Sequence, residues 1–226
     1  MIQRKIKGII FDLDGTLIHS TIDFAEMKRQ MIGILEANGI PEGKLTSKQT
    51  TVMILSISES IWRDRGLPQE KWGEVMRSIE TIMNQGELNA IPHIIEVEGA
   101  AEALRALKEA GYKLAILTRS HHTYAIEVLK KIGANDQFDV ILGRGETPKP
   151  KPHPEALIHA AKLLGLNLSE TLFVGDHHID AECAKNAMSP FLGVKTGIRG
   201  NESWGDNTPE ILLDSVKDLP GYLEKL

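Results

Sequence analysis

Two aspartates stand two positions apart in Phe11-Asp12-Leu13-Asp14-Gly15-Thr16-Leu17, directly after a short apolar run. Two acids so spaced, followed by a glycine, can turn at the end of a strand with both carboxylates in one site. A close pair of carboxyls resists double ionisation unless a cation sits between them. A hard cation such as magnesium wants oxygen ligands of this kind. A second pair, Asp176 and Asp180, lies in Val174-Gly175-Asp176-His177-His178-Ile179-Asp180, four apart at the start of a helical pattern, where both can share one face of the first turn. Between the pairs come Leu117-Thr118-Arg119-Ser120, whose hydroxyl and free amides suit a phosphate oxygen, and Thr147-Pro148-Lys149-Pro150-Lys151-Pro152-His153-Pro154. Four prolines in eight residues stiffen the chain and can place a lysine ammonium at a fixed point. Taken singly, each segment reads equally well as an ordinary loop, helix cap or rigid connector. Together they supply acids, a hydroxyl and a lysine, the parts that phosphoryl transfer needs: a nucleophile, metal ligands and cations to spread charge.

The elements that must position these residues are legible as well. Apolar runs at Ile6–Phe11, Leu114–Leu117, Phe138–Leu142, Thr171–Val174 and Phe191–Val194 read as buried strands. Helical patterns at about 99–110, 123–132 and 154–164 lie between them, stopped by Gly111, Gly133 and Gly165. Such alternation predicts an open parallel α/β sheet, and in such sheets ligands bind beyond the carboxyl ends of the strands. All the candidate residues follow predicted strands, apart from the lysines, which precede a helix.

The stretch from about 17 to 95 breaks the alternation and carries no strand signal. Phe24, Met27, Met31 and Ile34 keep helical spacing, as do Trp72, Val75, Met76, Ile79 and Met83, and the run 51–62 is apolar nearly all round. These stripes predict a helical domain with its own apolar core, inserted after the first strand. The chain therefore divides into a core of residues 1–16 and 96–226 and a helical insert of residues 17–95.

The bulk composition excludes several classes. A formal charge of −5 leaves no broad basic surface, so no nucleic-acid partner is expected. The N-terminal stretch, with Arg4, Lys5 and Lys7, precedes an apolar run too short for a signal peptide or a membrane span. The one cysteine, Cys183, precludes an intramolecular disulfide and fits a reducing, cytoplasmic setting, where it reads as a small buried filler in an alanine-rich helix.

In order and spacing the four segments resemble the motifs of the haloacid dehalogenase-like superfamily, specifically its phosphoglycolate phosphatase-like members with a helical cap. The resemblance spans nearly the whole chain: Phe11–Leu17, Leu117-Thr118, Lys151-Pro152-His153-Pro154 and Gly175–Asp180 stand where the family has its four motifs. It implies an α/β fold with a Rossmann-like parallel sheet core and an inserted α-helical cap that closes over the site. It also implies roles. Asp12 attacks phosphorus and becomes an aspartyl-phosphate, while Asp14 protonates the leaving oxygen and then activates water. Thr118 and Lys151 hold phosphoryl oxygens; Arg119, next to Thr118, is a further phosphate-binding candidate outside the family pattern, read either so or as a contact for an anionic substrate tail. Magnesium is held by the Asp12 carboxylate, the Asp14 backbone carbonyl and Asp176, with Asp180 orienting the metal site. An acid at position 14 points to phosphate-ester hydrolysis, or to phosphoryl transfer between sugar positions, rather than to dehalogenation. The implied partner is a small phosphorylated metabolite, phosphoglycolate first, acted on by a monomer or small homo-oligomer. A phosphosugar mutase and a non-catalytic binding module on the same fold are the alternatives.

The chain departs from the family pattern at His19, where Asp is common, and at Arg119, where Asn is common. Lys149 competes with Lys151 for the lysine role. Arg63 and Arg65, and the pairs His121-His122 and His177-His178, are candidates for substrate selection, against a plain reading as solvated surface groups. A zinc site built from the two histidine pairs is disfavoured, because they follow different strands.

Overall fold

In a computed structural model, described over residues 6–197, 204 and 207–225, the chain separates into two compact units. One comprises residues 1–20 and 91–226 and the other Thr21–Ala90. Arg4 and Lys5, which entered the reading of the N-terminal stretch, lie outside the described residues.

The larger unit is built on a six-stranded sheet. Its strands are β1 (Gly8–Phe11), β4 (Lys113–Leu117), β5 (Val140–Leu142), β6 (Thr171–Gly175), β7 (Phe191–Val194) and β8 (Leu212–Leu213). They lie in the order β5-β4-β1-β6-β7-β8, every pairing parallel. The chain steps outward from β1 through β4 to β5, then crosses back to β6 and continues to β7 and β8, so the direction of winding reverses at β1. A crevice at such a reversal is where open α/β sheets bind ligands. Phe11 lies in register with Ile116 of β4 and Val174 of β6, so the strand ends carrying Asp12, Thr118 and Asp176 emerge side by side.

Every residue of β1 is buried, as expected for a strand covered on both faces. Ile10, Ala115, Leu117 and Phe173 pack with Ala156, Leu157, Ala160, Cys183 and Ala184 from helices α6 (Pro154–Leu163) and α7 (His178–Ala187). Alternation along the strands turns Ile9, Phe11, Leu114 and Ile116 to the opposite face. Right-handed crossovers through α4 (Ala100–Glu109) and α5 (His122–Lys131) put those two helices on that face. The expected helices are all present. α6 carries Pro154 in its first turn, where a missing N–H costs no hydrogen bond.

The smaller unit holds α1 (Phe24–Ala37), α2 (Thr51–Asp64) and α3 (Gln69–Ala90). Its core joins Met27, Met31, Leu35, Ile54, Trp62, Val75, Ile79 and Met83, with Trp72 packed against Trp62 at 5.1 Å between ring centroids, the rings tilted by 52°. The methionine and tryptophan stripes are therefore core, as their helical spacing predicts. The expectation that 17–95 contains no strand is corrected. Ile18–His19 (β2) pairs antiparallel with Ile95–Glu96 (β3), a ladder of two residues each, too short to leave an alternating pattern. Both strands belong to the larger unit, so the compact units divide at 20/21 and 90/91 rather than at 16/17 and 95/96. No described helix is long and apolar enough to cross a membrane. A short helix α8 (Leu219–Leu223) ends the described chain.

Candidate active site

The loop after β1 is shaped by hydrogen bonds from Gly15 N–H to the Ile18 carbonyl and from Leu17 N–H to the Leu13 carbonyl. Gly15 adopts φ 88°, and a Cβ there would lie 2.3 Å from Asp176 Oδ2. Both its left-handed conformation and the closeness of Asp176 therefore require glycine. A Cβ at Gly197 would also come within 2.3 Å of the same oxygen, so two glycines make room for Asp176. Thr16 donates its hydroxyl to Asp176 Oδ1 at 3.1 Å, tying the β1 loop to the end of β6.

Asp180 stands at the third position of α7 and closes a capping box. Its Oδ2 accepts the His177 N–H at 3.2 Å, and the His177 ring accepts from the Ile179 N–H. That cap fixes the carboxylate at the strand end, where its Oδ1 accepts from Lys151 Nζ at 2.7 Å. Lys151 also donates to Asp12 Oδ1 at 2.7 Å and is 3% exposed, so one buried ammonium bridges two of the acids. Lys149 pairs instead with Glu155 in an exposed ion pair, so of the two lysines it is Lys151 that stands among the acids.

Asp12, Asp176 and Asp180 place one oxygen each within 4.8 Å of one another, the only such metal-capable group among the described residues. Burial drives the local electrostatics. It pushes the Asp12 carboxyl up to about 6, with Lys151 opposing and the Asp180 charge adding to the rise. It raises Asp176 well above the usual carboxylate range, helped by the charges of Asp12 and Asp180. Asp14 is raised by burial and by the Asp12 charge, against hydrogen bonds from Tyr124, Ser120 and Ser20. Desolvation works against the Lys151 ammonium, yet Asp12 and Asp180 hold its pKa above the ordinary value, so it stays charged. The Arg119 guanidinium is lowered by burial but held up by the charges of Asp180 and Asp12, which puts it within electrostatic reach of both acids. The group of Asp12, Asp176 and Asp180 has one ammonium bonded into it, that of Lys151, so three carboxylates would stand against one positive charge there. A compact set of buried oxygens with a deficit of two positive charges fits a hard divalent cation.

Of the expected site residues, Asp12, Asp14, Lys151, Asp176 and Asp180 come together. Thr118 emerges beside them, buried at the end of β4, its hydroxyl accepting the Ser120 N–H at 3.1 Å. The histidine pairs do not form a metal group among the described residues. His121 caps α5, His122 pairs with Glu146 at 2.7 Å, and the rings of His177 and His178 lie 4.0 Å apart, tilted by 42°. His19 is exposed. Arg65 donates to the Gly39 carbonyl within the helical unit, and Arg63 sits in the last turn of α2. Cys183 is buried, with its thiol donating to the His153 carbonyl at 3.3 Å, and burial pushes it up to about 12, in keeping with a packing role.

Two partners of Asp14 escaped the sequence reading. Tyr124 Oη donates to Asp14 Oδ1 at 2.8 Å and Ser120 Oγ donates to Oδ2 at 2.8 Å. Ser120 was in view only as a neighbour of Thr118. Tyr124 was hidden because a tyrosine on the buried stripe of a helix reads as core, which its zero exposure also makes it.

Known proteins resemble the chain over most of its length. Residues 9–194 match the family model described as haloacid dehalogenase-like hydrolase. Among curated proteins the chain is similar to a pyrophosphatase, PpaX, of Listeria monocytogenes serotype 4a, 28% identical over 215 residues covering 95% of each chain. It is also similar to a phosphoglycolate phosphatase of Salmonella paratyphi A, 26% identical over 238 residues covering 96% of this chain and 92% of the relative. Among solved structures, a hydrolase from Pseudomonas syringae superposes with a TM-score of 0.72 at 23% identity, covering 97% of this chain and 99% of the other, a likeness of fold.

Proposed function

The chain belongs to the haloacid dehalogenase-like hydrolases, and we propose that within that family it is a magnesium-dependent phosphatase that hydrolyses a small phosphomonoester through a phosphoryl group carried on Asp12. The observation that carries this reading is the placement of Asp12. It stands at the reversal point of the sheet, bridged by Lys151 to Asp180 and grouped with Asp176 in a site two positive charges short of neutrality.

A carboxylate attacks an anionic phosphoryl group only when the charges around it are balanced. Magnesium, held by the Asp12 and Asp176 carboxylates and the Asp14 carbonyl with Asp180 behind them, would supply that balance when bound. Lys151 neutralises Asp12 from one side and, with Thr118 and Arg119, offers donors to the phosphoryl oxygens. The Asp12 oxygen forms a bond to phosphorus as the bond from phosphorus to the leaving oxygen breaks. Asp14 gives its proton to that leaving oxygen. In the second half, Asp14, now a carboxylate, takes a proton from water as the water oxygen bonds to phosphorus, which releases inorganic phosphate and restores Asp12. The raised Asp14 carboxyl supports the first role, since an acid must hold its proton near neutral pH.

Phosphoglycolate is the first substrate candidate, on the strength of the relative that bears that name. Pyrophosphate is the second, for the same reason, from the other named relative. Both are small and both carry a second anionic group. The test is phosphate release from phosphoglycolate, pyrophosphate, hexose phosphates, nucleotides and an aryl phosphate, with magnesium and with chelator. Magnesium-dependent release, abolished by chelator and cut about ten-thousandfold in Asp12→Asn, is the expected result. An Asp12→Asn enzyme as fast as the parent would overturn the mechanism. Silence towards the whole panel would favour the mutase or a binding module.

A further inference from the structure

We infer that Tyr124 and Ser120 are positioning residues that hold Asp14 in the orientation its acid and base work requires, and that this chain meets that requirement with two buried hydroxyls from the segment after β4.

The geometry is specific. Tyr124 Oη reaches Asp14 Oδ1 and Ser120 Oγ reaches Oδ2, each at 2.8 Å, so both carboxyl oxygens are engaged by different donors. Ser20 Oγ lies 3.4 Å from the tyrosine hydroxyl and also hydrogen-bonds Asp14. Tyr124 is fully buried and Ser120 nearly so, so neither donor is free to swing into solvent. Their backbones are fixed too. Tyr124 lies in the first turn of α5, capped by His121. The Ser120 carbonyl accepts the Arg144 N–H at 2.8 Å, and a Cβ on Gly143 would sit 2.5 Å from the His122 nitrogen, so the end of β5 packs directly onto this loop.

A carboxyl oxygen has two lone-pair directions. The hydroxyls of Tyr124 and Ser120, one on each oxygen, fix the plane of the Asp14 carboxyl, and with Ser20 as a third partner one of the four directions stays open for the proton it gives or takes. Without the two hydroxyls the carboxyl would turn about its last side-chain bond, a broad and soft torsion. An acid misplaced by about 1 Å loses roughly a hundredfold in rate. A buried tyrosine whose only task was packing would not need its hydroxyl on a reacting group.

The inference rests on the reading of Asp14 as the acid, and leaving-group dependence separates the two. The probes are an alkyl phosphate, whose leaving oxygen needs a proton, and 2,4-dinitrophenyl phosphate, whose leaving oxygen departs without one. kcat/KM is compared, since it reports steps only through the first irreversible transfer. In Tyr124→Phe and Ser120→Ala the ratio of alkyl to dinitrophenyl kcat/KM is expected to fall about thirtyfold, towards the fall of a hundredfold or more expected for Asp14→Asn. Tyr124→Phe removes one oxygen from a buried ring, and an unchanged melting temperature would show that packing survives. Equal losses on both esters in the two hydroxyl variants, beside a steep ratio change in Asp14→Asn, would overturn the inference and leave the role of Asp14 intact. A flat ratio in Asp14→Asn itself would overturn the reading beneath it.

Discussion

The two ends of the one parallel sheet use the same side chains to opposite effect. At the amino ends of the strands, carboxylates and lysines pair in water. Glu170, just before β6, accepts from Lys7 at 2.5 Å, and Asp139, just before β5, accepts from Lys108 at 2.7 Å and from the Leu114 N–H at 2.8 Å. Hydrogen bonding from Lys7 draws Glu170 down to about 2. Asp139 is also drawn down: burial pushes it upward, but the Lys108 and Leu114 hydrogen bonds prevail. At the carboxyl ends, Asp12, Asp14 and Asp176 are all raised, although Lys151 is as close to Asp12 as Lys108 is to Asp139. Burial and the crowding of like charges make the difference, because removing water raises the cost of each charge faster than one lysine repays it. One edge is therefore a source of modest stability. The other is held under electrostatic stress, which is the usual signature of a working site.

That contrast can be broken from either side. The larger effect belongs to Asp12. Its folded pKa of about 6 lies above the unfolded 3.8, so its ionisation opposes folding; the penalty is complete above about pH 6 and gone below about pH 4. Asp12→Asn should therefore raise the stability of the metal-free protein at neutral pH, by on the order of 2 kcal/mol, and the gain should vanish in acid. Urea denaturation in chelator at several pH values measures it. A variant less stable than the parent at pH 7 would mean that the site carries no such stress.

The smaller effect belongs to Asp139 and has the reverse sign. Its folded pKa lies below 3.8, so its contribution is present above about pH 4 and is lost as the pH falls through the folded value. Asp139→Asn should cost about 0.5 kcal/mol near neutrality, since both partners are partly exposed and solvent screens the pair. The same denaturation series should show the cost fading in acid, opposite to the trend for Asp12. A cost independent of pH would assign the effect to packing or to the Leu114 hydrogen bond rather than to charge.

The sheet and its carboxyl-end residues were legible in the sequence because buried parallel strands write continuous apolar runs, and the polar residues just after them stand out. Asp12, Thr118 and Asp176 were found by that rule alone. Lys151 was harder, since two lysines flank the same prolines; only the structure shows Lys149 paired with Glu155 on the surface. The edge strand Leu212–Leu213 and the two-residue ladder of Ile18–His19 with Ile95–Glu96 left no periodic signal, being shorter than any alternation can register. Tyr124 was missed for a different reason. Its ring obeys the helix pattern of a core residue, and nothing in a linear spacing reveals that its hydroxyl meets a carboxylate 110 positions away.

The most direct test of the central claim is to trap the phosphoryl group. The enzyme, quenched during turnover with magnesium and a substrate from the panel, is treated with borohydride and digested, and the peptides are weighed by mass spectrometry. An acyl phosphate is reduced to the alcohol, so the account predicts homoserine at position 12, dependent on substrate and absent in Asp12→Asn. Phosphate release at full rate with position 12 unmodified, or reduction at another carboxylate, would contradict it.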